Sequence, residues 1–462
     1  MTEASLPNAS VGSTAPAGVT VAARLDRLPI TRKHLLATGV IGLGLFFDAY
    51  ENFLASTIAA VLKNDFALKG DALKWVLASA FIGQFIGALF MGRLADRIGR
   101  RKAFMVNLAL YSVFSLAGAF SPNAAWLVVT RFFAGIGIGG EYALGDSYLS
   151  DILPQNKRGQ FISWAYTVSF LGVPTVGFLA RWLVPMTPFG IDGWRWLFVF
   201  GAIGSIVVWA VRAGLPESPR WLEAQGRHDE ADAITRDFED AARAEGHMLA
   251  EPDASLTPVA SRQISMASLF KSPYTKRTTM LWLLSALEVF GYYGFGTVAP
   301  LVLVAKGYSV TSSLLFVALS YLGYPLGSLL AVPIVERIER KYLVMATATF
   351  MAIFGLWFGF ASSTGQIIAA GFLYSCASNL FSNAYHVYLA DSYPTAIRGT
   401  AAGAAYSLSK LVTAFLPFIL LPVLEDHGST PVFVIVAVAM GLLVVTVGAL
   451  GHRSTGRSAD AI

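Results

Sequence analysis

One cysteine in 462 residues, Cys376, excludes an intramolecular disulfide and any metal cluster built from thiolates. Charge is also scarce. Asp, Glu, Lys and Arg make up 14% of the chain, against roughly 25% in soluble domains, so water is not its main solvent. No Gly-x-x-x-x-Gly-Lys-Ser/Thr sequence occurs, and no nucleophile-base pair or metal-ligand spacing suggests an enzyme. The excess of 34 Lys and Arg over 29 Asp and Glu does not describe a nucleic-acid surface, because the basic residues lie in loops between apolar runs.

What the sequence has in abundance is long apolar runs. Segments of about 20 such residues, bounded by charge or by Pro and Gly, predict spans at 36–62, 73–95, 103–120, 124–147, 160–184 and 194–214. A charged stretch from 215 to 276 follows, and then spans at 278–304, 312–334, 342–361, 366–390, 400–422 and 430–451. Runs of this length exclude the alternating strands of a barrel, so the expected fold is all-α with twelve transmembrane helices. The first run is too long for a signal-peptide core and reads as an anchor. The Ser/Ala/Thr/Gly-rich segment of the first twenty or so residues reads as a disordered tail. The expected organisation is a tail (1–35), a six-helix half (36–214), a linker with one or two surface helices around Asp229 to Arg243 (215–276), a second half (277–452) and a short tail (453–462).

An even number of spans puts both termini on one side. Of the 34 Lys and Arg residues, 26 fall on that side, 6 on the other and 2 within spans, which predicts cytoplasmic termini. The halves are also related in sequence. Adding 240 to Gly83, Gly87, Asp96, Arg97, Ile98, Arg100 and Arg101 gives Gly323, Gly327, Glu336, Arg337, Ile338, Arg340 and Lys341. The same offset takes Tyr148, Leu149, Asp151, Pro154, Arg158 and Gly159 to Tyr388, Leu389, Asp391, Pro394, Arg398 and Gly399. Repeats with an even number of spans enter the membrane from the same side. They are therefore parallel, and the natural binding site is the cleft between them.

The loop from Gly92 through Asp96, Arg97, Gly99, Arg100 and Arg101 to Lys102 joins spans two and three by a tight charged turn. It can act as a latch between conformations or as a plain positive-inside anchor, and the partial copy from Glu336 through Arg337 and Arg340 to Lys341 favours the latch. In span four, Gly135 and Gly139 give a small-residue face for close helix approach. Ionisable residues within spans are costly and survive best facing a cavity or a partner. They are Asp48, Glu51, Arg131, Glu141, Asp146, Glu288, His386 and Lys410. Asp48 and Glu51 lie three residues apart on one helix. A carboxylate that alternates between pairing with Arg131 and holding a proton is a proton-coupling element, and a permanent ion pair is the structural alternative. Lys410 either meets an anionic substrate or neutralises Glu288. His386 is a titrating site or a hydrogen-bonded structural residue. Tyr50, Gln84, Tyr292, Tyr293, Tyr324, Asn379 and Asn383 are candidates for orienting hydrogen bonds in an apolar cleft.

Three motifs carry a resemblance to the major facilitator superfamily: the Gly92 to Lys102 loop; span four from Arg131 to Gly139 with Asp151-Ile-Leu-Pro154 and Arg158-Gly159; and Pro216-Glu217-Ser218-Pro219-Arg220-Trp221. The last, with Tyr393-Pro394-Thr395 and Arg398-Gly399, resembles the sugar-porter and metabolite:proton-symporter branches. The segment Asp48-Ala49-Tyr50-Glu51 is similar to the Asp-Gly-x-Asp signature of aromatic-acid:proton symporters, with Ala for Gly and Glu for the second Asp. The resemblance implies alternating access, with Asp48 as proton acceptor opposite Arg131. It also implies a cytoplasmic charge network of Asp151, Arg158, Glu217, Asp391 and Arg398 that stabilises the outward-facing state. The expected protein is a plasma-membrane monomer that takes up a small organic acid, aromatic acids included, driven by a proton gradient and without a cofactor. A sugar or polyol symporter is the alternative, and a non-transporting sensor is a further one.

Overall fold

A computed structural model describes residues 20–252, 269–272, 274–335, 337–393 and 395–454. The described chain is helical throughout, with no strand among the described residues. The first half comprises α1 (Val21–Asp26), α2 (Arg32–Thr57), α3 (Ala59–Asp65), α4 (Ala72–Ile98), α5 (Arg100–Ala119), α6 (Ala124–Ile152), α7 (Arg158–Phe170), α8 (Gly172–Leu183) and α9 (Gly193–Arg212). The linker forms α10 (Pro219–Ala224) and α11 (His228–Ala244). The second half comprises α12 (Thr275–Ala305), α13 (Val310–Tyr321), α14 (Gly323–Ile334), α15 (Arg340–Phe360), α16 (Thr364–Asp391), α17 (Thr395–His427) and α18 (Ser429–Leu450).

Ten spans are long and apolar enough to cross a bilayer, two of them assembled from the pairs α7 with α8 and α13 with α14. An eleventh, α2 with α3, bends by 51° at the break. The twelfth, α16, is long enough but less apolar, because it carries Asn379, Asn383, His386 and three serines. Side-chain caps start several helices: Asn123 accepts from the Trp126 N–H at 2.9 Å, and Ser309 from the Ser312 N–H at 3.2 Å.

Glycines set how closely the helices cross. A Cβ on Gly83 would stand 2.0 Å from the Phe132 carbonyl oxygen, and one on Gly87 would stand 2.1 Å from that of Ile136. The second half repeats both contacts at the same sequence offset, Gly323 against the Phe372 oxygen (2.2 Å) and Gly327 against that of Cys376 (2.3 Å). Backbones can approach this closely only where no side chain intervenes. The duplication is thus a duplication of packing: α4 on α6, and α14 on α16.

Between the halves, α4 runs against α17, and α7 and α8 against α14 and α13. At the end of the bundle remote from the termini the halves are in contact. Phe53 packs edge-on against Tyr321 and Tyr324 (centroids 5.5 and 5.4 Å), and Trp75 against Phe418 (5.1 Å). Lys63 pairs with Glu425 across the boundary at 2.8 Å. At the terminal end, α11 is amphipathic. It buries Ala231, Thr235, Phe238 and Ala242 on one face, in a core shared with Val21, Leu25 and Leu28 of the N-terminal segment. Residues 20–30, within the expected N-terminal tail (1–35), therefore have a place. Arg24 reaches Asp232 (2.5 Å) and Glu239 (2.8 Å), and Arg27 reaches Glu239 (2.6 Å). Burial pushes the Glu239 carboxyl up, but the bonds from Arg24 and Arg27 outweigh it and hold the group below the usual range.

Candidate functional site

One turn of α2 carries the charges of the site. Glu51 turns into the first half, where its Oε2 pairs with Arg131 Nη1 at 2.9 Å and its carbonyl oxygen accepts from Arg131 Nη2 at 3.0 Å. Ser115 donates to its other carboxylate oxygen. Room for this comes from Gly201, whose Cβ would lie 2.4 Å from Glu51 Oε1. The expected partner of Arg131, Asp48, is therefore not the one it has. The reason is geometric: three residues along a helix is about 4.5 Å of rise, and Glu51 is the carboxylate at the depth of Arg131, nearer the end remote from the termini.

Asp48 accepts a hydrogen bond from Asn52 Nδ2 (3.1 Å), and Asn52 Oδ1 accepts one from Gln84 Nε2 (2.6 Å). The other Asp48 oxygen, Oδ1, is buried with no hydrogen-bond partner among the described residues. Nearby, Glu141 is ion-paired with Arg212 (2.5 Å) and accepts from Asn107 Nδ2 (2.8 Å). Arg212 is fully buried over the Phe104 ring (4.4 Å) in a space that Gly44 leaves open, since a Cβ there would stand 1.8 Å from Arg212 Nη2. Sequence reasoning missed Arg212. Two residues from the end of the predicted span 194–214 it looks like a positive-inside anchor, and the available signal was an unmatched Glu141 two spans away.

A cavity of about 50 Å³ lies between the halves, bounded by α2, α6, α7, α12, α16 and α17. Its wall is mostly aromatic, from Phe53, Tyr142, Phe170, Tyr292, Tyr293, Tyr385 and Tyr406, with Ala49 between. Its polar groups are Asn52, Glu288, Ser382, His386 and Ser409. Lys410 stands one layer behind this wall. Its Nζ bonds the Tyr293 hydroxyl and lies 4.5 and 4.8 Å from the Tyr293 and Tyr406 ring centroids. Among the described residues no carboxylate lies within ion-pair distance of Lys410, although Asp48 and Glu288 are within electrostatic reach.

Of the predicted cleft residues, Glu288, Tyr292, Tyr293 and His386 line this cavity. The others stand off it. The Tyr50 hydroxyl is spent on the Leu197 carbonyl (3.0 Å). Asn379 bonds the Tyr324 carbonyl (2.5 Å), and Asn383 bonds the Asn379 carbonyl (2.9 Å). Tyr324 joins the aromatic closure with Phe53 and Tyr292. Gln84 reaches the site through Asn52, and Glu141 through its proximity to Asp48. Asn52, Tyr142, Tyr385, Tyr406 and Ser409 were missed, because neutral residues in an apolar run carry no sequence signal of which face they take. Asp146 is held by the Tyr166 hydroxyl (2.7 Å).

The charged loops assemble at the terminal end. Gly99 has φ +99°, and its Cβ would be 2.3 Å from Glu217 Oε2, so both the turn and the docking of Glu217 require glycine. Glu217 accepts from the Arg101 N–H (3.0 Å), and Arg100 pairs with Asp96 (2.7 Å) and Asp151 (3.5 Å). The second half repeats the last of these at the 240 offset, Arg340 with Asp391 at 3.2 Å. Arg158 joins Arg220 on Asp26 (2.9 and 2.8 Å), a residue the sequence reading left in the tail. Arg97 and Arg337 are exposed, and Gly92 is exposed with open space beside it. Glu336 lies outside the described residues, as does the side chain of Arg398. Among the described residues no ion pair joins the two halves at this end, whereas Lys63 and Glu425 join them at the other.

Two parallel six-helix halves, charged loops at one end and a polar-studded aromatic cavity between them define a membrane solute carrier. The chain belongs to the sugar (and other) transporter family, whose model matches residues 37–459, within the major facilitator superfamily. It is 34% identical over 393 residues to the putative metabolite transport protein YyaJ of Bacillus subtilis, covering 85% of this chain and 86% of that one. It is 32% identical to the niacin transporter NiaP of Acinetobacter baylyi, over 95% of this chain and 98% of that one. In fold it matches the partially occluded inward-open xylose transporter XylE of Escherichia coli, with TM-score 0.74 and 19% identity over 92% of this chain and 99% of the other. The protein is a multi-pass membrane transporter of sugars or other metabolites and not an enzyme.

Proposed function

We propose that this carrier takes up a small aromatic acid together with a proton, by alternating access in the plasma membrane with both termini cytoplasmic. One observation carries the reading. Of three cations buried within the bundle, Arg131 and Arg212 are each ion-paired with a glutamate, whereas Lys410 bonds Tyr293 and has no carboxylate within ion-pair distance among the described residues. A cation behind an aromatic cavity suits a ring that bears a carboxylate. To a polyol, which needs several amide or carboxylate partners, the cavity offers one of each, Asn52 and Glu288. The niacin transporter of A. baylyi, a relative over nearly the whole chain, supports a pyridine carboxylate. Asp48, with one buried oxygen unpartnered and Lys410 in electrostatic reach, is the proton carrier in this scheme, and Glu51 with Arg131 is a fixed strut.

The test is uptake into proteoliposomes under an imposed inward proton gradient, comparing nicotinate, benzoate and xylose, with and without a protonophore. Protonophore-sensitive accumulation of an acid, lost in Lys410→Gln, is the expected result. Accumulation of xylose and of neither acid would sink the reading.

A further inference from the structure

At the end of the bundle remote from the termini, a second pocket lies across the boundary between the halves, apart from the central cavity. The first half contributes Lys63, Lys69 and Lys74, and α17 of the second half contributes Leu421 and Glu425. On that side of the bilayer the sequence has 6 Lys and Arg residues, and three of them converge here. The turn that presents Lys69 runs through two left-handed residues, Ala67 at φ +45° and Gly70 at φ +55°. Ala67 lacks glycine's freedom, so this shape is held at some cost.

The partners of the three lysines matter. Lys74 pairs with Asp71 (2.7 Å), Lys63 with Glu425 (2.8 Å), and Lys69 has no acidic partner within ion-pair distance among the described residues. The Lys63 and Glu425 side chains are 43% and 52% exposed, and a pair so wet is held weakly and exchanges readily with another carboxylate. Among the described residues it is also the ion pair that joins the halves at this end.

We infer that Lys63 and Lys69 form an entry site for the carboxylate of the transported acid. The incoming anion replaces Glu425 on Lys63. The inference rests on the acid reading above, and names where the acid first binds. Charges in such a mouth act by raising the local anion concentration, an effect that salt suppresses within a Debye length of about 8 Å at physiological ionic strength.

The experiment compares nicotinate and nicotinamide, alike in shape and different in charge, as substrates of the full-length protein in oriented proteoliposomes. The variants are Lys63→Gln with Lys69→Gln, and separately Glu425→Gln. In the double lysine variant, KM for nicotinate at low salt is expected to rise about three- to tenfold with kcat unchanged. That difference should vanish near half-molar salt, and KM for nicotinamide should not move. Glu425→Gln, which frees Lys63, is expected to lower KM for nicotinate. An unchanged nicotinate KM in the double variant overturns the entry site and leaves the central site standing, as does an equal rise for nicotinamide. If the wild type takes up xylose and not nicotinate, the acid reading fails and the entry site with it.

Discussion

The proton-coupled reading proposed above predicts a stoichiometry. Glu51 is engaged by Arg131 at two points and by Ser115, so on that reading Asp48, the α2 carboxylate with no ion-pair partner among the described residues, carries one proton. One proton moving with one monovalent acid transfers no net charge. Accumulation should then follow the pH difference alone: one unit is worth about 1.36 kcal/mol, or about a tenfold inside-to-outside ratio. A membrane potential of 100 mV is worth about 2.3 kcal/mol per net charge, so a two-proton cycle would add roughly fiftyfold where the one-proton cycle adds nothing. The assay is nicotinate accumulation in proteoliposomes, with the pH difference and a potassium diffusion potential imposed separately. The expected pattern is about tenfold accumulation per pH unit and none from the potential. Asp48→Asn should collapse the ratio to about one while retaining exchange of labelled for unlabelled acid. Potential-driven accumulation would falsify the single-proton scheme and require Glu51 to leave Arg131, and normal accumulation in Asp48→Asn would remove Asp48 from the mechanism.

Removing one partner of the buried Glu51 and Arg131 pair strands the other, so Glu51→Gln and Arg131→Met should each destabilise by about 3–5 kcal/mol, and Glu51→Leu combined with Arg131→Met by clearly less; denaturant unfolding of the purified protein measures the cycle. Gly139→Ala places a Cβ 2.2 Å from the Gln84 carbonyl oxygen and should cost about 1–3 kcal/mol and lower the unfolding temperature, whereas Gly92→Ala, with nothing within 4 Å, should not. His452 stacks on Tyr388, and burial first, with Arg277 second, lowers its pKa from 6.5 to about 4. A lowered histidine pKa means that the unfolded segment takes up the proton first. Docking of residues 451–454 should therefore be complete above pH 6.5 and weaken progressively as pH falls toward 4, as limited proteolysis of the C-terminal segment will show.

The fold was legible because a bilayer leaves the chain few options: twelve long apolar runs can only become helices, and the 240-residue offset already announced the Gly83 and Gly323 crossings. The bend after Thr57 was not, since hydropathy carries no record of φ and ψ. Around the site, the reading found every buried carboxylate but misjudged one partner. Charge type is written in the sequence, while depth within a span is resolved only to about a turn, and a turn separates Asp48 from Glu51. Asp26 escaped for another reason. Its surroundings are Ser- and Ala-rich, and its role depends on Arg158 and Arg220 arriving from distant segments.

The duplication also shows where the halves parted company. Packing contacts and the Arg100 to Asp151 pair recur at the offset, as Gly323 against Phe372 and as Arg340 with Asp391. The buried cations do not. The counterpart of Arg131 is Gly371, and a Cβ there would already stand 2.2 Å from Ser320 Oγ, so the second half has no room for a guanidinium at that depth. Among the described residues the buried cation of its cleft is Lys410, which comes from α17 and bonds Tyr293, with no carboxylate within ion-pair distance. Under the alternating access proposed above, shared crossings would let both halves rock as similar bodies. The first half encloses Glu51 and Glu141 in ion pairs beside Asp48, and the second holds Lys410 behind the cavity wall without an ion pair among the described residues, so on that reading proton and solute are handled on opposite sides of a single cleft.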